Sequence, residues 1–398
     1  MTSFSLLAVI TSVLLLLAIV ERIIHVRRLN KIPVRIHVSG TRGKSSVTRL
    51  LAAALRHAGK KTAAKTTGTL ARMILPDGGE VPVYRPAGAN IIEQKRIVNT
   101  AYHMGCEALI VECMALQPIL HWISESKLVQ ATHGVITNAR ADHLDVMGPE
   151  EIDVAKALAG MIPVKGKLFT AERKNLQVLA AAAQDRKSSL HAVSTEDVAA
   201  VTPADLAGFS YTEHAENVAL ALKVLLDLGL TREQAIAGMW QAKPDPGALT
   251  ENVINFFGRR IIFVNGFAAN DPESTEKIWN MAHEKYADTD RTVAVFNMRA
   301  DRPSRTVQMA KDTTFWHQAE RVVLIGTGAY LFARMAGKTN FDASRFVFAD
   351  QVGVEEIFES ILEACGRNSL VVGMGNIGGP GLPLVRFFHN RALPEEQL

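Results

Sequence analysis

Arg35-Ile-His-Val-Ser-Gly-Thr-Arg-Gly-Lys-Ser-Ser46 is the stretch on which the reading of the fold turns. Residues 34–38 read as a short buried strand, and residues 45–57 read as a helix. The junction between them carries two glycines, a lysine and a pair of serines. Such a turn holds phosphate: glycines let backbone N–H groups close on the oxygens, and the helix N-terminus adds its positive end. Gly40, Thr41, Arg42, Gly43, Lys44, Ser45 and Ser46 would form the cradle, with Lys44 neutralising the β and γ phosphates of ATP. The Ser45 hydroxyl would ligate Mg2+. The general phosphate-loop pattern places a glycine where Val38 stands; here Gly40 comes three residues before Gly43, a shorter variant.

Outward from this loop, short apolar runs alternate with helical patterns. Residues 108–111 and 134–137 read as further strands, and residues 91–103 and 118–126 as helices. The alternation makes the chain α/β, with a parallel sheet covered on both faces. Two more helices follow over 214–228 and 232–241, and Ala242-Lys-Pro-Asp-Pro-Gly-Ala248 ends them as a domain boundary. The alternation then restarts with strands over 261–264, 293–296, 322–325, 346–348 and 370–372, giving a second, smaller α/β domain.

Two further loops carry chemistry. Glu112 stands at the tip of the strand over 108–111, where α/β ligands bind, and its carboxylate could hold Mg2+ directly or through water. Thr137-Asn-Ala-Arg-Ala-Asp-His-Leu-Asp145 gathers Asn138, Asp142, His143 and Asp145 after another strand. A mixed nitrogen and oxygen set there suits Mg2+ or Mn2+.

The bulk properties narrow the class. The 398 residues are 48% hydrophobic and 21% charged, enough for two domains with sizeable cores. A net charge of +4 is too mild for a nucleic-acid binder but suits an acidic small substrate. Three cysteines without CxxC or metal spacing fit a reducing compartment. Residues 2–20 carry no charge, and as a helix they span roughly 28 Å, close to a hydrocarbon core of about 30 Å. Arg22, Arg27, Arg28, Lys31 and Arg35 follow, so the positive-inside rule places the remainder in the cytoplasm, behind a single-pass anchor in the cytoplasmic membrane. No basic start or small-residue cleavage site marks a signal peptide.

Together, Gly40-Thr-Arg-Gly-Lys-Ser-Ser46, Thr67-Gly-Thr69, Glu112, Asn138 and Asp142-His-Leu-Asp145 resemble the Mur ligase superfamily across about residues 33–398. Within it the chain is most similar to the ligase component of poly-γ-glutamate synthases. The anchor before the loop and Phe263-Val-Asn-Gly-Phe-Ala-Ala-Asn-Asp-Pro272 are the closest points of likeness. The resemblance implies a transmembrane anchor over 1–32, a P-loop-containing parallel-sheet ATP-binding domain over 33–243 and a smaller Rossmann-like α/β domain over 244–398.

It also implies residue roles: ATP phosphates on Lys44 and its loop, metal on Ser45, Glu112 and His143, and a carbamylated, metal-bridging lysine at Lys156. Asn217 would contact adenine, and Arg299, Asp301 and Arg302 would lie near the nucleotide and the incoming amino acid. The implied reaction passes through an acyl phosphate and adds glutamate to a growing poly-γ-glutamate chain. Its partners would be that acceptor, the membrane, other membrane subunits of a synthesis and export complex, and a second copy in a homo-oligomer, with no nucleic acid.

The chain departs from the family at two places. Pro246-Gly-Ala-Leu249 lacks the usual Gly-Arg pair, and Asn265-Gly-Phe-Ala-Ala269 replaces an Asp-x-x-His segment, leaving Asp271 as a stand-in for the ribose contact. With the phosphate loop beginning at residue 39, no domain for a UDP-linked substrate is expected. The rival readings are a folylpolyglutamate synthase-like or other amino acid ligase, and a membrane-tethered ATPase driving a transport or assembly partner. Gly373-Met-Gly-Asn-Ile-Gly378 matches a dinucleotide fingerprint, but it lies on the last strand with no βαβ unit after it.

Overall fold

The computed structural model describes residues 3–392 other than 69, 86, 87, 246, 248, 270, 271 and 312. The chain divides into two compact units, Met1–Pro244 and Asp245–Leu398.

Unit 1 opens with helix α1 (Ser3–Asn30), long and apolar enough to cross a membrane by length and composition. Its leucines and valines before Glu21 are exposed, whereas His25 and Leu29 are buried. Eight strands follow among the described residues: β1 (Val34–Ser39), β2 (Thr62–Thr66), β3 (Arg72–Ile74), β4 (Glu80–Pro82), β5 (Ala108–Glu112), β6 (His133–Ile136), β7 (Lys167–Thr170) and β8 (Ser189–Ala192). They form one sheet in the order β4-β3-β2-β5-β1-β6-β7-β8. β1 lies between β5 and β6, parallel to both, because its alternating side chains are buried on both faces. The expected all-parallel sheet is extended by an antiparallel edge, β2 against β3 and β3 against β4.

Helix α2 (Lys44–His57) buries an unbroken run from Val47 to Leu55 under helices Ala215–Asp227 and Arg232–Met239. Helix Arg232–Met239 comes so close that a Cβ on Gly238 would meet Ala54 Cα at 2.6 Å, which explains the glycine inside a helix. On the other face, α3 (Glu93–His103) precedes β5, and α4 (Pro118–Ile123) follows it. The expected single helix over 118–126 is instead α4 continued by a π-helix, Ser124–Val129. The wider turn carries Glu125 inward to His37 of β1.

The small helix Pro203–Ala207 shows how unit 1 fastens its surface. Thr202 and Asp205 form a reciprocal capping box, and Arg232 Nη2 lies 2.7 Å from Asp205 Oδ2. The Arg232 guanidinium, helped by Thr202 and opposed by burial, holds the Asp205 carboxyl at about 2, below its ordinary 3.8. A depressed carboxyl stabilises the fold above its unfolded value and stops doing so as the pH falls through its folded value. The shift corresponds to about 2 kcal/mol near neutrality. Asp205→Asn should therefore lower stability at pH 7, and the gap to the parent should close as the pH drops from 3.8 to about 2, as read by denaturant unfolding of the detergent-solubilised chain.

Unit 2 contains β9 (Thr250–Phe256), β10 (Arg259–Asn265), β11 (Arg291–Asn297), β12 (Arg321–Ile325), β13 (Phe346–Phe348) and β14 (Asn368–Gly375). Their order is β13-β12-β11-β14-β10-β9, parallel except for the β9–β10 hairpin. One face packs on Trp279, Trp316 and Phe332, the other on Phe358, Ile361 and Phe388.

Candidate functional site

The loop after β1 is shaped by what lies against its glycines. Gly40 has φ +128, and a Cβ there would stand 2.0 Å from Thr137 Oγ1. Gly43 has φ +80, and a Cβ there would stand 2.5 Å from Asn217 Oδ1. Both positions need glycine for backbone conformation and for room. α2 begins at Lys44, so its unpaired first-turn N–H groups open into the loop.

Asn138 clamps this loop in shape. Its Oδ1 accepts from Thr41 Oγ1 at 2.7 Å and from the Arg42 N–H at 3.1 Å, and its Nδ2 donates to the Arg42 carbonyl at 3.2 Å. The Arg42 guanidinium reaches Asp142 at 2.8 Å, which ties the loop to the segment after β6. Lys44 Nζ donates back to the carbonyls of Gly40 at 2.7 Å and Thr41 at 3.2 Å. Burial pushes its ammonium below the ordinary lysine value, while the carboxylates of Glu112 and Asp142 pull the other way. An ammonium held in partial burial favours an anion brought to it.

Glu112, at the end of β5, is almost wholly buried. It accepts from Ser45 Oγ at 2.9 Å, from the Thr67 N–H at 2.7 Å and from Thr67 Oγ1 at 2.7 Å. Thr66, the residue before, has a buried hydroxyl with no partner. The Ser45 hydroxyl and the Glu112 carboxylate are hard oxygen donors beside a phosphate cradle, which fits Mg2+ or Mn2+. Among the described residues no three His, Cys, Asp or Glu side chains converge as a metal-holding group. Mg2+ commonly keeps waters and phosphate oxygens beside one or two carboxylates.

His143 does not join Glu112 in such a group. It has φ +47, and its Nε2 lies 3.9 Å from Asp142 Oδ1. Asp145 is exposed in the first turn of the helix Leu144–Met147. Lys156 stands apart from the carbamylated-ligand expectation. Its side chain is 60% exposed, and its ammonium pairs with Asp153 at 3.0 Å on the same helix.

Sequence reasoning overlooks Glu213. This carboxylate is buried and accepts from Tyr211 Oη at 3.0 Å, Asn217 Nδ2 at 2.9 Å, the His214 N–H at 2.9 Å and the Ser46 hydroxyl. Burial, with Glu213 adjoining, pushes the Tyr211 phenol up, so it stays a donor. Glu213 thereby locks Asn217 against Gly43. The four-residue spacing to Asn217, across the start of a helix, is the one signal that could have found it.

A second buried network lies behind Glu112. His37 Nδ1 is 2.7 Å from Glu125 Oε2, and Cys113 Sγ is 3.6 Å from His121 Nδ1. Burial alone would push the His37 imidazole down, but hydrogen bonds with Cys113 and Glu125 raise it to about 9. The charged ring ties β1 to the π-helix.

In unit 2, Arg299 and Asp301 pair with each other beyond the end of β11, at 2.9 and 2.6 Å. Asn297 Nδ2 donates to the Gly378 carbonyl at 2.7 Å and to the Asn376 carbonyl, while its Oδ1 is buried without a partner. The glycine-rich segment after β14 therefore closes on the last residue of β11. Arg302 donates its backbone N–H to the Arg299 carbonyl in the intervening turn. Thr69, Pro246 and Asp271 lie outside the described residues.

Comparison with known proteins gives this geometry a family setting. Residues 38–227 match the Mur ligase middle domain, and residues 250–391 match the C-terminal domain of the poly-gamma-glutamate synthase CapB. A capsule biosynthesis protein CapB from Bacillus anthracis is 36% identical over 98% of this chain and 84% of its own length. A PGA synthase CapB from Bacillus subtilis (strain 168) is 36% identical over 96% of this chain and 97% of its own. The fold resembles a crystal structure of a bifunctional folylpolyglutamate synthase/dihydrofolate synthase from Yersinia pestis complexed with AMPPNP and Mn ion. There the TM-score is 0.68 at 16% identity, covering 92% of this chain and 91% of that one.

Proposed function

The chain belongs to the family of the poly-gamma-glutamate synthase CapB, built on a Mur ligase middle domain, and from that premise we infer that it is an ATP-dependent, amide-forming ligase of poly-gamma-glutamate synthesis. The reaction we propose adds glutamate to the γ-carboxyl of a growing chain. An oxygen of the acceptor carboxylate attacks the γ-phosphorus of ATP, and ADP leaves as the acyl phosphate forms. The amine of glutamate then displaces inorganic phosphate from the acyl phosphate and gives up a proton.

The observation that carries this reading is the loop over 39–46, with Lys44 turned across it and Ser45 joined to Glu112. Its backbone N–H groups and Lys44 hold and neutralise the phosphates, and Asn138 keeps the loop from opening. Asn217, fixed by Glu213, offers its amide to the adenine side. Ser45 and Glu112 would hold one divalent ion and His143 a second; when bound, such ions neutralise charge on the phosphoryl oxygens. Arg299 and Asp301, paired with each other in unit 2, are the residues we propose for contact with nucleotide or amino acid in that unit.

Lys156 takes no part in this reading. An exposed lysine with a partner three residues away is worth little to a fold or a site, so Lys156→Arg should keep turnover within about threefold. A carbamylated ligand would lose far more in the same assay.

Helix α1 serves as the anchor in the cytoplasmic membrane, with both units on the cytoplasmic side where its basic flank lies. Other membrane subunits for export, and a second copy of the chain, are the partners we expect. The deciding experiment follows ATP consumption by the membrane-bound chain against a panel of amino acids. Glutamate-selective phosphate release with new γ-amide bonds is expected. Hydrolysis indifferent to every amino acid would instead mark a tethered ATPase.

A further inference from the structure

Helix α1 does not end in a loose tether. From Glu21 onward it is docked on unit 1. Glu21 pairs with Lys95 of α3 at 2.8 Å, and Arg28 lies over the Tyr102 ring at 5.9 Å. Arg22 donates to the Lys127 carbonyl, and His25 Nε2 is 2.8 Å from the Leu128 carbonyl. Arg35 then joins the carbonyls of Leu29 and Gln130. Partner numbers rise along both neighbours as α1 advances, so α1 runs parallel to α3 and to the π-helix.

Both neighbours run from the C-terminal edge of the strands to the N-terminal edge. α3 starts at Glu93, paired with Lys65 near the end of β2 at 2.6 Å, and finishes shortly before β5 begins. α4 starts after β5 ends, and its π-helical continuation finishes shortly before β6 begins. Residues 3–20 of α1 therefore project past the C-terminal edge. That edge carries the loop over 39–46, Glu112 and Asn138.

Exposed apolar side chains collect at this same edge. Ile92 stands at the start of α3 with 58% of its surface exposed, Ile119 lies in the first turn of α4 with 56% exposed, and Trp122 follows about one turn further along α4 with 41% exposed. Lys127 Nζ lies 5.2 Å from the Trp122 ring centre, and Lys95 flanks Ile92 three residues on. Tryptophan with lysine beside the mouth of a membrane span is the chemistry of the headgroup layer.

We propose that unit 1 rests its strand C-terminal edge against the bilayer that α1 spans, with Ile92, Ile119 and Trp122 seated among the lipid headgroups. The loop that grips phosphate then faces the membrane surface, and each new amide bond forms beside the lipid rather than out in bulk solvent. This rests on reading α1 as a membrane span.

The test uses the full chain in phosphatidylcholine–phosphatidylglycerol nanodiscs, labelled with an environment-sensitive fluorophore at single introduced cysteines. The three native cysteines are buried. Ile119→Cys and, separately, Ile92→Cys report the proposed contact, Val20→Cys reports the span, and Ala58→Cys reports the N-terminal edge after α2. Lipids bearing a headgroup-level nitroxide should quench the labels at 119 and 92 by a fraction comparable to that at 20, and leave the label at 58 unquenched. Quenching at 20 without quenching at 119 and 92, or stronger quenching at 58, overturns the proposal while the anchor stands. An unquenched label at 20 removes the anchor and the proposal with it.

Discussion

Lys44→Ala is expected to abolish ATP-dependent amide formation and leave the fold intact. The Lys44 ammonium donates to two loop carbonyls, and burial has already lowered its pKa, so it contributes little to stability where it lies. Its contribution comes when phosphate charge arrives and must be neutralised out of bulk water. Removing one such preorganised donor costs on the order of 10³-fold in turnover. Trading a partly desolvated ammonium for a methyl group should leave the unfolding midpoint unchanged or slightly raised. The check is paired: phosphate release with glutamate and acceptor present, and a thermal melt of the same sample. Undiminished turnover would place the nucleotide elsewhere.

Glu112 should divide into two effects that two substitutions separate. Glu112→Gln keeps the shape and still offers an oxygen to Thr67, but it removes the charge. Turnover should fall on the order of 10²-fold, with a rise in the Mg2+ concentration needed for half-maximal rate. Glu112→Ala also removes the acceptor of the half-buried Ser45 hydroxyl and of both Thr67 donors. Orphaning such half-buried groups should cost about 1–3 kcal/mol in denaturant unfolding, beyond the lost activity. If the glutamine variant matched the parent at limiting Mg2+, the carboxylate would be a structural hub and no metal ligand.

The parts of the fold legible in the sequence are those whose burial is written in apolar side chains. β5 opens on the unbroken apolar run Ala108-Leu-Ile-Val111, β1 carries Val34, Ile36 and Val38, β6 ends in Val135-Ile136, and the loop between β1 and α2 is marked by two glycines in the left-handed region. β2 is hidden for the opposite reason. Thr62-Ala-Ala-Lys-Thr66 offers no bulky apolar residue and a charge in its second half, yet the whole strand is buried. Lys65 is tolerated there only because Glu93, from a helix far along the chain, meets it at 2.6 Å and is itself held by Arg85. No local pattern announces a pairing of that kind. Glu213 is hidden similarly: an acid between two short elements looks solvated until Ser46, Tyr211 and Asn217 close around it. Lys156 differs again: the resemblance alone singles it out, and in the structure its side chain pairs with Asp153 on the same helix.

The antiparallel strip at the border of the first sheet has one more consequence. β4 is three residues long, ends in Pro82, and has Glu80 fastened to Arg49 of α2. A proline offers no N–H to a newcomer, and so short a ribbon gives a foreign chain little to copy. An extended segment of another chain would thus find little backbone template along this strand.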